Sequence, residues 1–183
     1  MEIGLFFIFS YAKPLGKNFR WLVNGSGEMH SAGKLMLLWQ LPWVRATLVA
    51  EIQKELCLQL DRLKAAGISV TYFDSHHHTH LLPGLMKHLK PTLFMHGIRT
   101  VRLPLDPGLK GTHQAPVYWL AKWNQKAFKK LGFRSLPFVY PGLEDLSDPQ
   151  RLKERLGNQK DPEVIVHPAK RMDFDELEVP DGY

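Results

Sequence analysis

The sequence predicts an α/β protein made of alternating β and α units, and three observations carry that prediction. Short β-branched and aromatic runs recur at 3–10, 68–73, 98–103 and 163–166, separated by stretches with helical periodicity. The first run is hydrophobic on both faces, as a central strand of a parallel sheet is. Four of the nine histidines, with Asp74, fall within the seven residues Asp74–His80, directly after the second run. That is the strand-to-helix position at which open sheets and barrels of this class put their chemistry.

Taken in order, residues 3–10 form the first strand and Asn24-Gly25-Ser26-Gly27 marks a loop. The apolar segment Leu35–Trp43, cut by Pro42, fits either strand or helix. A helix follows from about Val44 to Ala66. Leu48, Ile52, Leu56 and Leu63 trace its apolar stripe, and Glu51, Lys54, Glu55, Asp61, Arg62 and Lys64 take polar positions. Gly67 caps it, and Cys57 within it reads as a packing residue. After the histidine cluster, Pro83–Met95 is a helix that Pro91 kinks or splits. Gly97 ends that helix, and Ile98–Leu103 is the next strand.

Val117–Leu131 is a third helix, with Trp119, Trp123 and Ala127 at spacing four. Aromatics among Lys122, Lys126, Lys129 and Lys130 suggest a nucleic-acid surface. An aromatic core stripe with a lysine-rich outer face accounts for the same pattern without such a partner, so no nucleic acid is expected. Trp39 and Trp43 read as core residues too. Phe138-Val139-Tyr140, closed by Pro141-Gly142, reads as a strand. Asp148 N-caps a short helix to Leu156, with Pro149 at its first position. Glu163–Val166 is another buried strand, ending at His167. The tail Lys170–Tyr183 is acidic and aperiodic, and His30, His88, His96 and His113 read as surface residues.

The chain of 183 residues is long enough to bury a core, and 1–183 is read as one domain. Hydrophobic content of 44% and charged content of 23% are those of a soluble globular protein. A solvated basic helix face explains the net charge of +6 more simply than an acidic polymer partner does. The single cysteine excludes an internal disulfide framework and a cysteine zinc site, and fits a reducing compartment. No apolar run approaches the ~20 residues that span a bilayer. The opening apolar run lacks a basic n-region, and Glu2 has the wrong sign for a signal peptide. A cytoplasmic protein with no membrane partner is expected.

The histidine cluster is internal, interrupted by Thr79 and flanked by strand and helix signals, unlike a tag scar. If the extended conformation persists past Phe73, Asp74, His76, His78 and His80 share one face and His77 lies opposite. Imidazole nitrogen ligates zinc and similar metals, and a nearby carboxylate fixes its tautomer. His76, nearest the strand end, is the first choice for a metal-binding or catalytic role. His167 reaches the same rim from a distant strand. Arg102, at a third strand end, lies either on that rim or on a solvent-facing edge. No internal repeat, phosphate-binding glycine loop or serine-nucleophile elbow is present.

Asp74-Ser75-His76-His77-His78-Thr79-His80 and Glu163-Val164-Ile165-Val166-His167-Pro168-Ala169 resemble signatures of the ChbG/YdjC-like carbohydrate deacetylases, a family that includes the HpnK proteins. Glu2-Ile3-Gly4-Leu5, with Ala12-Lys13-Pro14-Leu15, is similar to that family's second strand and following loop. The resemblance implies a distorted (β/α) barrel of the polysaccharide-deacetylase type. It also implies removal of the acetyl group from an N-acetylated amino sugar or chitooligosaccharide with a divalent metal, magnesium or zinc. By the same resemblance His76 binds the metal and His167 acts at the active rim as general acid. Asp74 would orient a histidine from behind, His78 or His80 would serve as an alternative ligand, and Arg102 would contact the sugar or a carboxylate.

The chain departs from that pattern in three places. No Asn-Ala-Asp-Asp segment is present, Phe6 stands where the second metal histidine is expected, and the sequence stops soon after His167-Pro168-Ala169. A full barrel takes ~250 residues, so the expectation is an incomplete barrel, truncated at both ends and prone to self-association through uncovered strand edges. The competing expectations are a catalytically inactive relative that at most binds sugar, and an unrelated metallohydrolase with a His-x-His pair after a barrel strand.

Overall fold

A computed structural model describes residues 4–106, 110, 115–139, 147–156 and 163–164. β1 (Gly4–Phe7) leads through a long loop into α1 (Ala32–Trp39) and α2 (Pro42–Ala65). β2 (Tyr72–Ser75) runs into a 3-10 turn (His76–Leu81) and α3 (Leu85–Met95). β3 (Thr100–Leu103) precedes α4 (Ala115–Lys130), and β4 (Arg134–Val139) precedes α5 (Pro149–Leu156) and the short β5 (Glu163–Val164). All four strand pairings are parallel, and the sheet order is the chain order, β1-β2-β3-β4-β5. Parallel neighbours require a crossover, and helices supply it between successive strands. The α/β prediction holds.

Register sorts the side chains onto two faces. Leu5 pairs with Phe73 and Phe73 with Val101, so Leu5, Phe7, Phe73, Val101 and Leu103 share one face. They join the core formed with Leu48, Ile52 and Leu56 of α2, Leu89 and Leu93 of α3, and Phe128 of α4. The opposite face carries Phe6, Tyr72, Asp74, Thr100 and Arg102. The first strand is therefore not apolar-buried on both sides as expected. β1 is at one edge of the described sheet, and Phe6 is 49% exposed.

α2 ends as its sequence indicates. Gly67 takes φ +73°, and the Gly67 and Ile68 amides donate to the Lys64 and Leu63 carbonyls at 3.0 and 2.9 Å. This turn satisfies carbonyls the helix leaves open and reverses the chain toward the next strand. The same pair of bonds closes α3 at Gly97 and α4 at Gly132.

Several local expectations are corrected. Leu35–Trp43 resolves into the end of α1 and a turn, with Pro42 opening α2. β2 starts at Tyr72 rather than Ile68 and reaches Ser75. α3 is one continuous helix across Pro91. Pro91 and Lys87 lie on its exposed side, where water can take the carbonyl that the proline leaves without an amide partner. On α4 the buried residues are Tyr118, Ala121, Asn124 and Phe128, while Trp119 and Trp123 are 59% and 62% exposed. The aromatic core stripe expected there is thus the outer face, because Tyr118, Ala121, Asn124 and Phe128 face inward, Asn124 and Phe128 against the 3-10 turn. Trp43 is exposed as well, whereas Trp39 is buried. His113, Tyr140–Gly142, Ile165–His167 and the acidic tail lie outside the described residues. Among the described residues no helix is long and apolar enough to cross a membrane.

Candidate functional site

Extended backbone stops at Ser75. His77 and His78 adopt φ +50° and +52°, and His76–Leu81 folds into the 3-10 turn. The expectation that Asp74, His76, His78 and His80 share one face is overturned. Short polar side chains drive the change by offering the backbone local partners. Ser75 Oγ accepts the His80 amide at 2.9 Å, and Thr79 Oγ1 donates to the His76 carbonyl at 2.9 Å. Two helices fix the turn from outside. Trp39 Nε1 of α1 donates to the Pro83 carbonyl at 3.1 Å, and Asn124 Nδ2 of α4 to the Leu81 carbonyl at 2.9 Å.

His80 is swallowed by this arrangement, with no exposed surface. Its Nε2 lies 3.1 Å from the Arg102 carbonyl, which can only accept, so Nε2 carries the proton. Nδ1 then accepts from the Ser75 hydroxyl at 2.7 Å. Burial pushes its pKa down to about 4, and the nearby Asp74 only partly opposes this. With both ring nitrogens engaged, His80 bonds the turn to β3 and has no lone pair for a ligand.

Asp74 is also buried. Oδ1 accepts the Ser75 amide at 2.7 Å, and Oδ2 lies 3.3 Å from Arg102 Nη1. The Nδ1 atoms of His78 and His80 each approach Oδ1 to 3.8 Å. Burial alone would raise the Asp74 pKa, but the neighbouring His78 and His80 and the Ser75 amide outweigh it and hold the carboxyl below its usual value. Arg102 reaches Tyr72 Oη at 2.9 Å and stacks over the Tyr72 ring at 4.7 Å. Of the two placements open for Arg102, the one beside the histidine turn is correct.

His77 is exposed and His76 half-buried, with ring centroids 3.7 Å apart. Phe6 stands edge-on to His76 at 5.7 Å. Tyr11 packs on His77 at 5.0 Å and on His76 at 6.5 Å. Burial, then the proximity of His77 and His78, pushes the His76 pKa down to about 4. His76 is therefore a neutral imidazole at pH 7, the state that ligates a metal or accepts a proton.

The loop that carries Tyr11 is held by two carboxylates assigned above to polar positions. Glu51 and Glu55 are 8% and 0% exposed. Glu51 accepts the amides of Arg20, Trp21 and Leu22 at 2.7, 2.9 and 2.8 Å. Glu55 accepts those of Leu15 and Gly16 at 3.0 and 2.9 Å. Each glutamate directly precedes a core residue, Ile52 or Leu56, and the i,i+4 acidic pair bordering the apolar stripe was the available signal.

The structure thus brings Asp74, His78 and Arg102 together, with His76 at the start of the same turn beside His77, while His167 lies outside the described residues. Among the described residues no three His, Cys, Asp or Glu side chains are grouped to hold a metal ion. His80 is fully engaged, His78 turns to Asp74, and Phe6 rather than a donor fills the space beside His76. A catalytic zinc ordinarily takes three protein ligands, so the described residues do not by themselves fit one.

The model of the YdjC-like protein family matches residues 1–180 of this chain. A carbohydrate deacetylase of Geobacillus stearothermophilus is 31% identical over 85 residues, which cover 46% of this chain and 31% of that protein. One of Xenopus laevis is 37% identical over 62 residues, covering 33% and 20%. A chitooligosaccharide deacetylase of Yersinia enterocolitica is 34% identical over 88 residues, covering 45% and 31%. The chain spans about a third or less of the length of the curated relatives it matches.

Proposed function

Because this chain belongs to the YdjC-like protein family, we propose that it hydrolyses the N-acetyl group of an amino sugar or chitooligosaccharide. The observation that carries this reading is the family match over residues 1–180, and the relatives' deacetylase names give it a reaction. An incomplete, distorted (β/α) barrel goes with it. Parallel strands in chain order, with core helices on one face and Asp74, Arg102 and Tyr72 on the other, support that architecture.

Amide hydrolysis needs a water relieved of its proton, a polarised carbonyl and a proton for the departing amine. His76 presents a neutral imidazole nitrogen at the rim. His167 is assigned as the general acid for the amine; β5, which precedes it by three residues, runs parallel to β4 and so in the direction of β2. Asp74 orients His78 and holds Arg102, and Arg102 contacts the sugar. The resemblance also implies a magnesium or zinc ion at His76. The described residues do not complete its ligand set, so no step is routed through it.

The test is acetate release from diacetylchitobiose by the purified chain, with and without added magnesium or zinc. Release that His76→Ala abolishes is expected. Release undiminished by His76→Ala contradicts the site assignment, and sugar binding without release indicates a chain that holds the substrate but does not cleave it.

A further inference from the structure

Two large aromatic rings border the outward imidazoles and are left in water. Phe6 is 49% exposed and Tyr11 54%. Neither belongs to the hydrophobic core, although Leu5, Phe7 and Phe9 around them are buried. Both make T-shaped contacts with His76, at 5.7 and 6.5 Å between ring centroids, and each side chain nevertheless stays half-exposed.

Backbone strain gathers at the same spot. Among the described residues four non-glycine positions have positive φ: Tyr11, Asn18, His77 and His78. Tyr11 at φ +60° is the bulkiest of them, and its ring packs on the first of the two strained histidines at 5.0 Å. An aromatic residue in the left-handed region is a costly conformer that persists only where the surroundings impose it, and such residues concentrate at functional sites. Here the surroundings do impose it. The Met29 amide donates to the Ala12 carbonyl at 2.8 Å, and Glu51 and Glu55 fix the backbone of residues 15–22.

We infer that Phe6 and Tyr11 form an aromatic wall on which the pyranose ring of the substrate stacks, presenting it to His76. This rests on the deacetylase reading and names how the sugar is held. The axial C–H face of a pyranose is apolar, and its hydrogens meet the electron-rich face of an aromatic ring favourably. The hydroxyl edge of the same sugar needs hydrogen-bonding groups, and pockets for such ligands pair apolar walls with a few polar side chains. Phe6 is in register with Asp74 on the neighbouring strand, and Arg102 sits on the strand beyond. At ordinary sheet spacing that places the guanidinium strand about 10 Å from β1, the width of one sugar and its substituents.

The test titrates N-acetylglucosamine and diacetylchitobiose into the wild-type chain and into Phe6→Ala, Tyr11→Ala, Tyr11→Gly and a distant control, Trp119→Ala. Affinity and saturation-transfer NMR are read together. Phe6→Ala and Tyr11→Ala are expected to weaken binding about tenfold or more, a loss typical of one removed stacking contact, with KM raised more than kcat is lowered. Trp119→Ala leaves binding unchanged, and saturation is strongest at the axial ring protons of the bound sugar. Tyr11→Gly melts no lower than wild type, because glycine takes φ +60° without penalty, yet it binds as poorly as Tyr11→Ala. If wild type binds sugar and both alanine variants match it, the wall falls and the deacetylase reading stands. If wild type binds neither sugar, both fall. A Tyr11→Gly chain that loses stability but keeps sugar affinity assigns Tyr11 to the scaffold and also overturns the wall.

Discussion

Replacing His80 by glutamine should flatten the acid limb of the stability curve. Buried His80 has a folded pKa of about 4 against 6.5 in the unfolded chain. The unfolded state therefore takes up the proton first as pH falls. Between pH 6.5 and 4 it holds more protons than the native state, and stability rises with pH across that window. Working the linkage from pH 7 down to 4.5, this one group withdraws about 2 kcal/mol of stability. His76 acts with the same sign in the same window but is partly exposed and remains in the variant, so the difference between the two proteins isolates His80. Asp74, with a lowered pKa, gives stability that is lost only below its ordinary value of 3.8, outside this range.

Glutamine can still donate to the Arg102 carbonyl but no longer offers Ser75 its acceptor, so His80→Gln should lose about 1–2 kcal/mol at pH 7. Urea unfolding followed by tryptophan fluorescence at pH 7, 6, 5 and 4.5 measures both effects. Wild type and variant should converge as pH falls. Parallel curves over that range would refute the neutral, doubly bonded imidazole. So would a histidine NMR spectrum showing His80 protonated near pH 6.

Other substitutions probe the groups that build the rim. Glu51→Gln keeps the shape but replaces a charged acceptor of three amides by a neutral one, and should cost about 1–3 kcal/mol in denaturant unfolding; an unchanged midpoint would show that the 15–22 loop needs no anchor there. Arg102→Met leaves the buried Asp74 carboxylate without its guanidinium partner and should destabilise by about 3 kcal/mol, largely recovered in Arg102→Met with Asp74→Asn; additive losses in the double-mutant cycle would contradict the pairing. Gly67→Ala meets no neighbouring atom within 4 Å, so its cost is backbone strain alone, about 1 kcal/mol by calorimetry.

Much of the architecture could be read from the chain because its signals are local and periodic. Leu48, Ile52 and Leu56 announce α2 by spacing alone, Gly67 and Gly97 end helices by conformational freedom, and Asp148-Pro149 opens α5. Parallel order followed from the alternation of such units. The faces were harder to read. Trp119 and Trp123 have the spacing of a core stripe, yet Tyr118, Ala121, Asn124 and Phe128 are the residues turned inward. Periodicity gives the angle between residues on a helix, not the direction of the core.

The candidate site divides the same way. Asp74-Ser75-His76-His77-His78-Thr79-His80 declared itself by composition, by its place after a strand and by family resemblance, all properties of the sequence alone. Which imidazole does what was decided only when the chain folded. His76 and His80 are the same residue four positions apart, but Ser75 and the Arg102 carbonyl claim both nitrogens of His80, while His76 is left outward between Phe6 and Tyr11. Spacing along an extended strand predicted one shared face, and two left-handed residues removed it. Side-chain chemistry is written in the sequence; the partners that exhaust it are set by the fold, the Ser75 hydroxyl brought onto His80 by the turn and the Arg102 carbonyl, 22 residues away, by the sheet.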